Sequence, residues 1–446
     1  MCQLTDTRER RRIIGDFVIS PLDIFNSRTY PDSVVITYAA FDSHGYTTHP
    51  LCLFKKRQSL TSISAHNPSY TPYRSLLPKD VEGILVTGQG ISADRDAMSV
   101  LRMQPDSQNQ GYAAGLAAAM AADANLSPRY IDVKTLQNKL VQKDCLPSTV
   151  LTDVDSFPLS QQRIAQAVND VINDFNGIEA ILAQPEDALP LLRNAYENAA
   201  PENKLTYAEI LGVMGDATGS STLIDAVQSQ WWDTGWNFQL TGGSIDNSLS
   251  PVDVLIVALG KTKDPQGLEP ILDKLEHLSS SSYFSHHRAV AIALEELGDR
   301  AAAEPLAELL QKPGMSGHAY TDINSPPPYD PGSGYEGRGF TLRELILARA
   351  LYLCGDYNGL GESILMQYDK DFHSHYARHS NALLRSTYPD LNYDCIIDFG
   401  DLNPMADEWL MDSNEITTDL DKNGRVDFND FAIIAHRWLT PGDFLN

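Results

Sequence analysis

Two stretches near the end of the sequence place oxygen-bearing side chains at matching positions. Residues 390–410, DLNYDCIIDFGDLNPMADEWL, align with 419–439, DLDKNGRVDFNDFAIIAHRWL, at a constant offset of 29. Counted from the first aspartate, positions 1, 3, 5, 9 and 12 of the first copy are Asp390, Asn392, Asp394, Asp398 and Asp401. In the second copy they are Asp419, Asp421, Asn423, Asp427 and Asp430. Position 7, where a backbone carbonyl would be the donor, is Ile396 and Arg425. A hard cation wants about six to eight oxygens wrapped around it, and this spacing delivers them, so each loop reads as a calcium site. Gly424 supplies the sharp turn at position 6, whereas Cys395 in the first copy carries a left-handed penalty of about 1 kcal/mol and weakens that site. The alternative is chance spacing in an acidic tail, and the duplication argues against it. So many crowded carboxylates and amides repel one another until a cation neutralises them, which couples folding of this segment to the metal.

A second candidate lies upstream. GQGISA (88–93) follows an apolar run and fits G-x-G-x-x-A, the form of a phosphate-cradling turn. A self-sufficient dinucleotide unit also needs a helix and then a second strand ending in an acidic residue. Here the chain passes through a short helix, Arg102, the polar run PDSQNQ and a helix that we expect to open at Gly111. The turn alone therefore does not make such a unit. Free amides at Gly111, Tyr112 and Ala113 would favour negative charge near that helix end. Arg102 is the best single charged residue for such a site, the alternative being an ordinary salt bridge.

These residues need elements to hold them. SVVITYAAF (33–41) and GILVTG (83–88) are β-branched, apolar and bounded by turn residues, so they read as strands. Residues 113–124 and 133–141 read as helices. From 171 to 385 an apolar helical pattern recurs around a Gly/Asp turn, as in AVAIALEELGDRAAAEPLAELL (289–310). Asp216, Asp264, Asp299 and Asp356 mark the same place each time, at separations of 48, 35 and 57. Helical pairs of this kind bury their faces by stacking into a solenoid, with an irregular bundle as the alternative. Insertions, such as the loop bearing Trp231, Trp232 and Trp236, make the period uneven.

Composition sets bounds on partners. The chain has 446 residues, enough for two to four domains at about 150 residues each. Its net charge of −25, from 34 basic and 59 acidic residues, opposes non-specific binding to nucleic acid or an anionic membrane. The 5 cysteines are scattered and never spaced as CxxC, so neither a disulfide framework nor a zinc site is expected. The longest apolar stretch, 113–122, is too short to cross a bilayer. The apolar stretch after Arg8–Arg12 is broken by Asp16 and Asp23, so no export signal is read.

Several motifs carry resemblances. The 388–441 segment resembles a type I dockerin domain: tandem loops, Asp at position 12 and one helix after each loop. That resemblance implies calcium-dependent docking onto a cohesin-like or cell-surface scaffold partner, and an extracellular setting. The 171–385 pattern resembles HEAT-type repeats. TRERRRIIGDFVISPLDI (7–24), AFDSHG (40–45), YTPYRSLLPK (70–79), GILVTGQGISADRDAMSVLRM (83–103) and QGYAAGLAAAMA (110–121) together resemble the C-terminal part of FAD-dependent oxidoreductases with a glutathione-reductase-like fold.

That last resemblance implies an FAD cofactor lying along Gly88, Gly90 and Ser92 and meeting Gly111, Tyr112 and Ala113. It also implies Arg102, His44 and Arg74 as catalytic candidates, with Arg8, Glu9 and Arg11 in another segment of that kind. The implied chemistry is hydride transfer with a small-molecule or carbohydrate-related substrate. Nothing before Gly88 fits the G-x-G-x-x-G half that such proteins carry near their start. Either a truncated start or a separate N-terminal flavoprotein half accounts for it. The expected fold is thus multidomain: an incomplete α/β FAD-binding fold (1–150), a connector (151–170), an all-α solenoid and a small all-α pair of calcium loop-helix motifs. A non-catalytic interaction protein built on the repeats and the docking module is the competing expectation.

Overall fold

A computed structural model describes residues 12–43, 47–237, 248–325, 336–386, 391, 397–411, 416–420, 424–436 and 438. The chain divides into two compact units, one of residues 1–214 with 244–248 and one of residues 215–243 with 249–446. Among the described residues no helix is long and apolar enough to cross a membrane.

The first unit departs from a layered α/β arrangement. Its sheet has two strands, β1 (Ser33–Thr37) and β2 (Ser69–Pro72), paired antiparallel with Thr37 opposite Ser69 and Val35 opposite Thr71. The expected strand over 83–88 does not form. Residues 84–87 join no ladder, although Val86 N donates to Leu76 O at 2.9 Å, and Ile84 is 50% exposed. β-branched residues favour a strand only where a neighbouring strand can accept their hydrogen bonds, and among the described residues none flanks this run.

Helices cover the strand pair instead. The alanine-rich helix Gln104–Ala124 packs on β1, as does Val133–Gln142, which starts where the sequence placed it. Asp132 caps that second helix by accepting from the amides of Lys134 and Thr135. The alanine-rich helix begins seven residues before the expected Gly111. Met103 takes the extended N-cap conformation, and Pro105 sits in the first turn with Asp106. Proline lacks only an amide that a first turn leaves unpaired anyway, and an early carboxylate suits the helix dipole. The run PDSQNQ is therefore the helix start, not a loop.

The last helix of this unit, Pro201–Val213, carries a half-buried carboxyl at Glu209 that burial pushes up to about 7. Because the folded state holds this proton beyond the ordinary value of 4.5, the unit loses stability as pH rises from there to about 7 and no further above it. Glu209→Gln is expected to raise Tm at about pH 8, by on the order of 1–2 kcal/mol of stability, and to change nothing near pH ~4. Equal melting curves at both pH values would refute this.

The second unit stacks helices side by side. Pro251–Lys261 packs on Phe284–Leu297, which packs on Glu336–Leu353, which packs on Leu360–Asp369. The recurring aspartates act as local caps. Asp264 accepts from Gln266 N, and Asp299 from Ala301 N, each opening a short turn before the second helix of its pair. Asp356 accepts from the amides of Tyr357, Gly361 and Glu362, and Asp216 from Thr218 N. Trp232 stacks on His286 at 4.3 Å, and His286 Nδ1 donates to the fully buried Asp253 at 2.7 Å.

The duplicated C-terminal segment forms one small core from both copies: Ile397 and Met405 with Leu420, Val426 and Ile434. The helices Phe399–Asp407 and Phe428–His436 follow their loops. Their aromatic residues cross over between copies. Phe399 meets Trp438 at 4.9 Å and 83°, and Trp409 meets Phe428 at 5.1 Å and 86°. These partners exchange places under the offset of 29, so the segment has approximate two-fold symmetry.

Candidate functional site

The Gly88–Gly90 turn is a half-buried 3-10 turn held from three sides. Gly88 has φ +65°, a conformation that favours glycine, and the space its side chain would fill is open. Its amide donates to Gln110 Oε1 at 2.9 Å, while Gln110 Nε2 donates to Leu101 O at 3.1 Å. Gln110 is fully buried, so it fastens the turn to the end of the short helix Met98–Leu101. The amide of Ile13 donates to Gly90 O at 3.0 Å on the other side. Sequence reading missed Gln110. A lone glutamine at 3.6-residue spacing from buried alanines was the available signal.

The other candidates separate into open and committed residues. Gly111 and Tyr112 lie on the outward face of the alanine-rich helix, with Tyr112 46% exposed, whereas Ala113 is fully buried on the inward face. All three amides now sit inside the helix, so the free donors expected there are used in its own ladder. Ser92 is fully buried, and its hydroxyl accepts from Gly15 N at 2.9 Å.

Arg102 is largely buried, and its Nη2 donates to Asp42 O at 2.8 Å and to Asp42 Oδ2 at 3.0 Å. It thereby anchors the segment that runs towards His44. Arg74 turns into a different cluster. Its guanidinium lies over Phe17 and Tyr30 at 4.8 and 5.3 Å and pairs with Asp32 at 3.5 Å and Asp155 at 3.7 Å. Arg28 shares Asp155 through two bonds of 2.9 Å. His44, Arg8, Glu9 and Arg11 lie outside the described residues.

In the C-terminal segment, the carboxylates at loop positions 9 and 12 make the same bonds in both copies. Asp401 accepts from Leu391 N at 2.6 Å and from Asp398 N at 2.8 Å. Asp430 accepts from Leu420 N at 2.6 Å and from Asp427 N at 2.8 Å. Asp398 and Asp427 accept in turn from the amides of Gly400 and Asn429. Asp419 accepts from Gly424 N at 2.9 Å, and Gly424 has φ +88°, as the sharp turn beside Arg425 requires. Asp390, Asn392, Asp394, Ile396, Asp421 and Asn423 lie outside the described residues. Among the described residues no group of three or more metal-ligating side chains converges.

With this geometry in hand, comparison with known families is informative for the first unit. Residues 4–140 match the family described as FAD dependent oxidoreductase. Residues 287–312, within the stacked helices, match the family described as PBS lyase HEAT-like repeat. No curated protein matches the chain.

The matched segment therefore holds the turn, Arg102, Arg74 and the alanine-rich helix. The residues present fit one edge of such a cofactor. Next to Gly88 in the chain, the side-chain oxygen of Gln89 is buried and has no hydrogen-bond partner among the described residues. A donor from outside would satisfy that oxygen. The amides of Gly111 to Ala113 do not add a second point of contact.

Proposed function

We propose that this protein carries the flavin-edge portion of an FAD-dependent oxidoreductase on residues 4–140, with helical repeats and a calcium-dependent docking module behind it. FAD, when bound, would supply the hydride acceptor or donor. The chain's own contribution is positional: Gly88 offers an unobstructed backbone edge, Gln110 holds the Gly88–Gly90 turn rigid, and Arg102 fixes the 41–43 segment through Asp42. The substrate is a small molecule, of carbohydrate-related chemistry if the docking module sets the context. A separate flavoprotein half bearing G-x-G-x-x-G would complete the adenosine-pyrophosphate site. The exposed apolar side chains of Val81 and Ile84 support a neighbour of this kind. The docking module would bind calcium through Asp398, Asp401, Asp419, Asp427 and Asp430 with their loop companions, and would attach the protein to a cohesin-like or cell-surface scaffold, placing it outside the cell.

The observation that carries this reading is the family match over a segment in which Gly88 stays open. Alone, the chain is expected to hold FAD weakly, because most pre-organised contacts of such a cofactor are made to its adenosine-pyrophosphate half. Photolabelling tolerates weak binding. An azido-flavin should label peptides covering 84–92, and unlabelled FAD should compete it away. Label spread evenly over the chain would overturn the proposal.

A further inference from the structure

The antiparallel β1–β2 pair turns polar side chains towards its covering helices. By register Thr37 lies opposite Ser69 and Val35 opposite Thr71, so these four share one face. Thr37, Ser69 and Thr71 are at most 1% exposed, yet among the described residues none of their hydroxyls closes a well-formed hydrogen bond. Two helical residues join this layer. Asp106, buried in the first turn of the alanine-rich helix, has its carboxyl pushed up by burial, while the Thr37 hydroxyl beside it acts in the opposite direction without closing a well-formed bond. Gln137 donates through Nε2 to the carbonyls of Pro31 and Ser33 and leaves its Oε1 buried and unpaired.

An inward strand face is ordinarily apolar, because a buried hydroxyl gives up its bonds to water and must find others. One orphan is tolerated in most folds. Three hydroxyls on one short strand pair and an amide oxygen on the helix over it exceed that, and the backbone groups beside the hydroxyls are already engaged in the strand ladder. The strand residues cannot turn away either, since a shift by one position would bring Ile36 and Tyr70 inward together.

The geometry points to a buried hydration site: ordered water held between the inner face of the strand pair and the helices over it, bridging Thr37, Ser69 and Thr71 to Asp106 and Gln137. Hydroxyls both donate and accept, which suits a ligand that does the same. The amide oxygen of Gln137 takes only a donor, and water supplies one. This site is independent of the cofactor reading and stands or falls separately from it.

The test uses the full chain and deuteron magnetic relaxation dispersion, which counts internal waters that exchange slowly. Thr71→Val keeps the shape and removes the hydroxyl. It is expected to abolish at least one long-lived water and to lower Tm, because the remaining partners are left unbridged. Thr71→Ser is expected to keep the water signal. An unchanged signal in Thr71→Val overturns the proposal whatever Tm does, and a dry pocket would also reveal itself by a rise in Tm. Where Thr71→Val does not fold, Ser69→Ala decides in the same way: loss of a long-lived water supports the site and an unchanged signal overturns it.

Discussion

Asp430→Asn is expected to cost the C-terminal segment on the order of 3 kcal/mol and to remove its response to calcium. The carboxylate is fully buried and ties the entrance of the second loop to its exit, accepting from Leu420 N and Asp427 N through different oxygens. Asparagine keeps one acceptor and turns an NH2 donor against the other amide. Two buried donors then face each other without water, and a bond to a charged group is lost as well. If the loop also binds calcium, its lost contribution grows with ion concentration, reaching about 2.7 kcal/mol at a hundredfold excess over Kd. Thermal melts followed by the signal of Trp409 and Trp438 separate these effects. Wild type should melt lower with chelator than with calcium, and the variant should melt low in both. Wild-type melts that ignore the chelator would leave the carboxylate as a loop clasp and end the calcium reading.

Gly260→Ala is expected to be comparably damaging in the stacked helices. A Cβ at Gly260 would lie 2.3 Å from Ala293 Cα and 2.6 Å from its carbonyl oxygen. Both obstacles are backbone or fixed to it, so no rotamer change relieves the clash, and the helices Pro251–Lys261 and Phe284–Leu297 must separate. Overpacking of this kind costs about 1–3 kcal/mol. The upper end is expected here, because Asp253 and His286 form their buried pair two turns earlier along the same seam. Opening the seam loosens a charge-assisted bond that water cannot replace. Tm of the full chain and protease sensitivity of these two helices measure the effect. An alanine variant that melts like wild type would mean that the helices cross less closely than described.

The sequence was most legible where one residue type had one local duty. The aspartates that mark the repeats cap the turns they mark, because a short carboxylate accepts from amides just downstream: two residues on at Asp216, Asp264 and Asp299, and at Tyr357, Gly361 and Glu362 for Asp356. Likewise Asp398, Asp401, Asp427 and Asp430 show their repeat both in spacing and in hydrogen bonds. It was least legible where a local preference depends on a distant partner. Residues 83–88 have every strand-forming side chain and lack a neighbouring strand among the described residues, so their propensity goes unused. The helix start was misplaced at Gly111 because a polar run ordinarily marks a loop. Buried anchorage of Gln110, invisible in composition, made it helical. Arg74 read as a site candidate, but its aromatic and carboxylate partners come from segments 40 to 80 residues away, and no spacing rule joins them.

The crossed aromatic contacts of the duplicated segment have a consequence for how it melts. Each copy lends its tryptophan to the other's phenylalanine, and the apolar centre draws on both, so neither half possesses an interior of its own. Cooperativity is therefore built into the duplication. The two loop-helix motifs should lose structure in a single step, and a polypeptide carrying one motif should remain a coil until it finds its twin.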